Sequence, residues 1–378
     1  MKKLLTTALK VIKKIEEHGY EAYIVGGYVR DHLMGLDSND VDICTNAKPK
    51  ELIKIFEGAI LPAEDYGSVT IYIKNNRFEI TTFRREISYN DYRRPVEIEY
   101  IDDLKEDIMR RDFTINTICM DKNKKIIDYL NARQDLANHL IKPVGDANYK
   151  FSQDVLRILR AIRFATKLDF SLSDEIIDGI NKNKHLLKKI SYERKREELD
   201  KIFTSPNAKR GIDLLIELGL DKELELNNLK NVTNTESLIG IWAIIDPEEN
   251  TYRFTNNEKE LIKSVKEVLP LNNLDPYNLY KYGLYVNSIA GAIKNIPKKD
   301  ITRSYNNLVI HSRKDLAISI PEILNCLSIE KGPFIKTIYD ELEKEVLYKR
   351  LKNNRKALLN YCVAVSYTHL RAHETVLD

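Results

Sequence analysis

The segment Ile24-Val25-Gly26-Gly27-Tyr28-Val29-Arg30-Asp31-His32-Leu33-Met34-Gly35, followed by Ser38-Asn39-Asp40-Val41-Asp42-Ile43, constrains the fold more than any other stretch. It reads as a strand, a double-glycine turn, one short helix and a second strand carrying two aspartates. Side chains alternate along a strand, so Asp40 and Asp42 leave one face while Val41 and Ile43 leave the other. Two converging carboxylates repel unless a cation lies between them, and hard oxygen ligands select Mg²⁺ or Mn²⁺. Gly26 and Gly27 let backbone N–H groups approach an anion, and the following helix offers the positive end of its dipole. A metal site beside a phosphate cradle is equipment for moving a nucleotidyl group.

Around this segment helical and strand signals alternate for about 130 residues. Residues 3–18 carry apolar side chains at helical spacing up to Gly19; residues 22–25 and 40–43 read as strands, and 49–56 as a helix with proline in its first turn. Val69–Ile73 and Arg77–Arg84 predict a hairpin around Asn75-Asn76, and Ile115–Met120 with Lys125–Tyr129 predict a further strand pair. That is a small α/β domain on a mixed sheet. Beyond Pro143 the period becomes almost wholly helical, over 152–168, 173–182, 191–203, 207–219 and later stretches, punctuated by Pro247, Pro270, Pro276 and Pro321. The expected architecture is an α/β head followed by an elongated all-helical remainder.

With 43% apolar residues the chain can bury real cores, whereas a net charge of +3 leaves recognition of any polyanion to local clusters. Cys44, Cys119, Cys326 and Cys362 lack paired metal-ligand spacing and read as buried, reduced thiols of a cytoplasmic protein. Lysines and glutamates recur from Lys10 to Glu17, so no apolar region of signal-peptide length follows Met1. The longest apolar run, Leu238–Ile245, is too short to span a bilayer, and no membrane association is expected. From Ser366 to Thr375 the chain leaves its Lys/Asn/Ile-rich style; residues 366–378 read as a foreign tail, and His369 and His373 receive no functional weight.

Three further constellations bear on chemistry. Glu79 lies in a strand whose neighbours Phe78 and Ile80 face the other way. It is either solvent-facing or, if its strand lies beside the aspartates, a metal ligand or the base for an attacking hydroxyl. In Arg110-Arg111-Asp112-Phe113-Thr114-Ile115-Asn116, Arg111 suits phosphate, and Asp112 and Asn116 can hydrogen-bond ribose hydroxyls, although such a trio also forms surface ion pairs. On a helix, Asp154, Arg157, Arg160 and Arg163 recur every three residues and drift slowly around one face. A salt-bridged stripe is the plain reading. The sharper one is that cytosine and adenine each present an amino donor beside a ring-nitrogen acceptor. Asp154 with Arg157 matches that pattern and mismatches uracil and guanine, with Arg160 and Arg163 facing a triphosphate or the pocket rim. Basic clusters at Lys182–Arg196 and Lys349–Lys356 are candidate RNA phosphate contacts.

Gly26-Gly27-x-Val29-Arg30-Asp31-x-Leu33-x-Gly35, then Asp40-x-Asp42-Ile43, resembles the signature of the class II tRNA nucleotidyltransferase and bacterial poly(A) polymerase family. Glu79 in Glu-Ile-Thr-Thr-Phe-Arg, the Arg111–Asn116 block, Asp154-x-x-Arg157 and the run Ile190–Leu199 match in order and spacing, so residues 1 to about 215 carry the resemblance. It implies an α+β head of the polymerase-β-like nucleotidyltransferase type over 1–140, with a mixed sheet. A helical neck with base recognition would follow over 141–205, and a helical body and tail for tRNA over 206–365. It also implies Mg²⁺ on Asp40 and Asp42, with Glu79 completing the acidic catalytic set. Gly27 and Arg30 would hold the triphosphate, Arg111 and Asp112 the nucleotide, and Asp154 and Arg157 would read the base of CTP or ATP. The tRNA 3′-hydroxyl then attacks the α-phosphate in line and pyrophosphate leaves, building C, C and A; no obligatory protein partner is evident.

Two departures stand out. Gln153 replaces a glutamate, and Asn131-Ala132 replaces a glycine pair, so that hinge is expected to be stiffer. Relatives that add only CC lack part of a loop between Glu79 and Arg111; here Tyr89–Pro95 supplies it, which favours adding A as well. The alternatives are a poly(A) polymerase or A-adding enzyme of the same family, and an inert RNA-binding relative.

Overall fold

The computed structural model describes residues 2–61, 67–90, 94–233, 237–248, 251–328, 332 and 334–374, without side chains for some of them, including 88–90, 94–96 and 365–374. Helix α1 (Lys2–Glu16) buries its apolar stripe, Ala8, Val11, Ile12 and Ile15. It lies against β1 (Ala22–Val25) and β2 (Val41–Thr45), which are joined through α2 (Gly27–Leu33). Then come α3 (Pro49–Ile55), β3 (Ser68–Ile73), β4 (Asn76–Thr82), β5 (Arg84–Asn90) and β6 (Arg94–Tyr100). Helix α4 (Leu104–Met109), β7 (Cys119–Met120) and β8 (Ile126–Ile127) follow. The main sheet has the order β3-β4-β2-β1-β7-β8; β2 and β4 run parallel and the other neighbours antiparallel. This is the mixed sheet expected.

Its register positions the site. Asp42 on β2 pairs with Glu79 on β4 and with Val25 on β1. Val41, Ile43, Phe78 and Ile80 alternate with the carboxylates and are fully buried, so burial of one face turns the acids to the other. Further along the acidic face, Cys44 packs with Val25, Phe83, Leu104, Ile108 and Cys119.

Strands β5 and β6 form a separate antiparallel hairpin, with irregular register at Glu86, Ser88 and Tyr89. The loop expected at Tyr89–Pro95 has its flanks in these strands, while its tip, 91–93, and its side chains lie outside the described residues.

After α5 (Ala132–Ala137) and β9 (Leu140–Ile141) the chain turns helical: α6 (Ala147–Gln153), α7 (Leu156–Leu168), a short β10 (Ser171–Leu172) and α8 (Asp174–Asn183). Helices α9 (Tyr192–Phe203), α10 (Ala208–Glu217) and α11 (Leu220–Glu223) follow. These elements belong to one compact unit, Met1–Lys230 with Pro247–Arg253. The second unit, Asn231–Asp246 with Phe254–Asp378, holds α12 (Leu238–Ile245), α13 (Asn256–Val268), α14 (Pro276–Ile293) and α15 (Lys298–Asn306). It also holds α16 (Ile320–Leu327), α17 (Phe334–Leu347) and α18 (Arg355–Glu374). Helix α14 kinks at Gly283 and serves two cores: Tyr277 and Tyr280 pack with the α16–α18 cluster, Val286 and Ile289 with α12 and α13. Among the described residues no helix is long and apolar enough to cross a membrane.

Several expectations are corrected. The helix predicted over 152–168 is broken at Asp154 (φ −134°, ψ 97°), because its carboxylate accepts the Leu156 N–H at 3.1 Å and starts a new helix. Residues 114–116 form a 3₁₀ turn instead of a strand, closed by Thr117 onto the Thr114 carbonyl. Cys44, Cys119 and Cys362 are buried as expected but Cys326 is exposed. Lys195, placed in a basic cluster of candidate RNA phosphate contacts, is instead 1% exposed, with Nζ 4.2 Å from the Tyr192 ring centroid.

The approach of α10 to α7 and α9 depends on Gly211, where an added Cβ would lie 2.5 Å from Ile202 Cγ2 and 2.6 Å from Thr166 Oγ1. Gly211→Ala is expected to cost about 1–3 kcal/mol from overpacking. Urea unfolding measures it, and an unchanged midpoint would contradict this packing.

Candidate active site

The acidic strands end at a cleft of about 420 Å³ in the first unit. Its wall begins at Gly26, whose φ of 78° and ψ of −134° suit glycine; an added Cβ would meet Arg111 Nη1 only in ordinary contact at 3.7 Å, so it is the backbone conformation that requires glycine here. Arg30, one turn into α2, also lines the cleft but is 2% exposed. It pairs with Asp31 at 2.6 Å and donates to Asn116 Oδ1 at 2.7 Å. Asn116 in turn donates to Asp112 Oδ1 at 3.2 Å, an oxygen that also accepts the Phe113 N–H at 2.8 Å. The other oxygen of Asp112 accepts Arg160 Nε at 2.8 Å and Arg160 Nη2. Burial would raise the Asp112 pKa, but the Arg160 guanidinium and these donors hold it well below the usual carboxylate range.

Burial is the largest single influence on Arg111 and lowers its pKa, but the Asp107 charge and hydrogen bond together with the neighbouring Cys44 and Cys119 raise it above the usual guanidinium value. Asp107 is fully buried and reaches Arg110 at 2.7 Å and Arg111 at 3.2 Å from one helical turn earlier. Glu86 on β5 sits 3.7 Å from Arg84, from Arg110 and from Arg157. Arg157, on the first turn of α7, is buried at 7% exposure and lines the cleft beside Asp154. The Asp154 carboxyl is pushed up by burial, opposed by Arg157 and Arg194.

Asp40 and Asp42 are exposed, and Asp42 lies on the cleft floor. Desolvation there, then the Asp40 and Glu79 charges, push Asp42 up to about 6. Among the described residues no three His, Cys, Asp or Glu side chains gather closely enough to hold an ion unaided, and Glu79 pairs with Arg77 at 3.2 Å. The donor set nevertheless fits Mg²⁺, which is bound by one or two carboxylates with the remaining positions left to water and substrate phosphate. Asp40, Asp42 and Glu79 form a cluster of mutual repulsion that such an ion would relieve.

Of the residues singled out from sequence, Gly26, Gly27, Arg30, Asp42, Arg111, Asp112, Asn116, Asp154, Arg157 and Arg160 line one cleft. Asp40 and Glu79 neighbour Asp42 without lining that cavity. Arg163 does not line it: three-residue steps fall short of a full turn, so the stripe drifts around the helix, and the Arg163 guanidinium pairs with Glu198 at 3.2 Å. Asp112 and Asn116, read as ribose contacts, are occupied in the wall's own hydrogen bonds. Sequence reasoning overlooked Glu86, Phe164 and the anchoring role of Asp107. Only Asp107 carried a local signal, its helical spacing to Arg110 and Arg111.

A cleft with acids on its floor and guanidiniums on its wall suits a substrate that brings its own phosphates. On this sheet, that defines the nucleotidyltransferase class. Residues 22–142 match the Poly A polymerase head domain, 169–228 the probable RNA and SrmB-binding site of polymerase A, and 250–362 the putative domain 2 of tRNA nucleotidyltransferase. The CCA-adding enzyme of Bacillus licheniformis is 34% identical over 95% of this chain and 98% of its own. That of Ligilactobacillus salivarius is 33% identical over 93% and 94%. The crystal structure of the Bacillus stearothermophilus CCA-adding enzyme in complex with CTP has a TM-score of 0.86 at 26% identity, covering 97% of this chain and 98% of that one. The Thermotoga maritima enzyme complexed with tRNA_CCA shares the fold, with a TM-score of 0.69 at 20% identity over 96% and 95% of the two chains. The chain belongs to the CCA-adding enzyme family.

A raised carboxylate pKa marks a charge that costs stability once ionised, so the cost is full above pH about 6, shrinks as pH falls toward the unfolded value of 3.8, and is gone only below it, where both folded and unfolded forms bind the proton. Asp42→Asn is therefore expected to raise the melting temperature of metal-free protein at pH 8 by a few degrees, about 1 kcal/mol after discounting for solvent screening. Well below the unfolded value of 3.8, at about pH 3, the two proteins should melt together; a variant less stable at pH 8 would refute the repulsion.

Proposed function

We propose that this protein adds C, C and A to the 3′ end of tRNA without a nucleic-acid template, taking CTP and ATP and releasing pyrophosphate by two-metal, in-line nucleotidyl transfer. The observation that carries the reading is the presence, in one cleft, of Asp42 with the Asp154–Arg157 pair: a nucleotidyl-transfer acid and a donor–acceptor set for C and A. The identity to CCA-adding enzymes over nearly the whole chain supports it.

Asp40 and Asp42 hold Mg²⁺, and Glu79 completes the acidic set. The ion, when bound, supplies charge neutralisation at the reacting phosphate and activation of the 3′-hydroxyl. Gly27 and Arg30 orient the triphosphate, and Arg111 adds charge at the nucleotide phosphates. Asp112 and Asn116 brace Arg160 and Arg30, so their part is to aim guanidiniums at the triphosphate. Asp154 accepts the exocyclic amino group of C or A while Arg157 donates to the ring nitrogen; with U or G both would be left mismatched in a desolvated pocket. We assign residues 1–140 to the catalytic head, 141–205 to a neck that reads the base, and 206–365 to a body and tail that hold tRNA, with the reaction in the cytoplasm.

Incubation with tRNA lacking CCA, Mg²⁺, CTP and ATP should extend the RNA by three nucleotides. Extension by ATP alone, with CTP inert on the bare end, would instead identify an A-adding enzyme or poly(A) polymerase. Asp40→Ala is expected to lower the rate about a thousandfold or more. Arg157→Ala should admit UTP at a rate raised about tenfold or more relative to CTP, with triphosphate binding changed less; continued exclusion of UTP would remove Arg157 from base reading.

A further inference from the structure

Three of the arginines around the cleft converge on one ring. The guanidinium carbons of Arg30, Arg160 and Arg163 lie 5.4, 5.8 and 4.6 Å from the centroid of Phe164, which lines the cleft at 9% exposure. Arg30 arrives from the helix after the glycine turn, Arg160 and Arg163 from α7. Each also has its own carboxylate: Asp31, Asp112 and Glu198. The Phe164 ring is held edge to face by Phe113, 5.8 Å away at 77°. Like charges so close together repel, and their paired acids act from different directions. An aromatic ring attracts nearby cations through its negative faces, and all three guanidiniums lie within reach of this one.

We propose that Phe164 is a positioning residue for nucleotide binding: its ring keeps Arg30 and Arg160 turned to the triphosphate side of the cleft and ties them to the Arg163–Glu198 pair. This rests on the nucleotidyl-transfer reading above and adds to it an aromatic platform. An apolar residue of similar size would fill the space but give the guanidiniums no electrostatic seat. The loss should therefore fall on the phosphates and be the same for every base, unlike the loss of Arg157.

The test is equilibrium binding of CTP, ATP and inorganic tripolyphosphate to the full chain without RNA, alongside tRNA extension. Phe164→Leu should weaken all three ligands by a similar factor, about tenfold, as expected for two cleft cation–π contacts, and leave the preference for CTP over UTP intact. Phe164→Tyr, which keeps the ring, should bind within about twofold of wild type by the same reasoning. Ile162→Val, a fully buried change on the same helix, controls for general loosening and should leave tripolyphosphate binding unaltered. Unchanged tripolyphosphate affinity in Phe164→Leu, or equal weakening in Ile162→Val or Phe164→Tyr, would overturn the proposal. Failure of the wild type to extend tRNA would instead overturn the functional reading, and the tripolyphosphate arm would still decide the role of Phe164.

Discussion

The Asp112–Arg160 pair, buried at the carboxylate and half-buried at the guanidinium, joins the two halves of the site. Asp112 lies between α4 and β7, within the sheet-bearing part of the first unit, and Arg160 stands on α7, so the bond fixes where the helical wall sits over the acidic strands. Such a pair is a poor source of net stability, since desolvating the carboxylate offsets much of its attraction to the guanidinium. What it provides is geometry. Asp112 also takes the Asn116 amide, which takes Arg30, so one carboxylate sets the direction of two guanidiniums from different elements.

Around that anchor the charges are sorted by depth and partner. On the wall Arg30, Arg111 and Arg160 are each matched with an acid and held in place, whereas Asp42 on the floor feels the repulsion of Asp40 and Glu79 and is displaced to about 6. On the proposed function, a preorganised wall needs no reorganisation when phosphates arrive, and acids that repel one another favour a cation between them. Neither half is optimised for the stability of the empty protein, and that is the expected trade between activity and stability at a site of this kind.

Much of this was legible from residue order. The period-two alternation of Val41–Ile43 and Phe78–Ile80 correctly oriented Asp42 and Glu79, because burying one strand face leaves no choice for the other. The glycine turn, the mixed sheet and the change to helical period after Pro143 were likewise readable. The spacing of Asp154, Arg157, Arg160 and Arg163 misled, since four residues three apart look like one helical stripe. Asp154 instead terminates α6 with its backbone and starts α7 with its carboxylate, a local competition that periodicity does not register.

By itself the sequence determined which side chains share a strand face, where glycine must turn, and which chemistry the acids support, all of which follow from spacing and backbone sterics. Only the tertiary structure decided that Glu79 lies beside Asp42, that Arg163 turns to Glu198, and that Phe164 and Glu86 belong to the site. Those outcomes depend on strand pairing and on competition among many nearby carboxylates for a few arginines. Such competition is settled by distances in three dimensions, and residue spacing along the chain does not encode them.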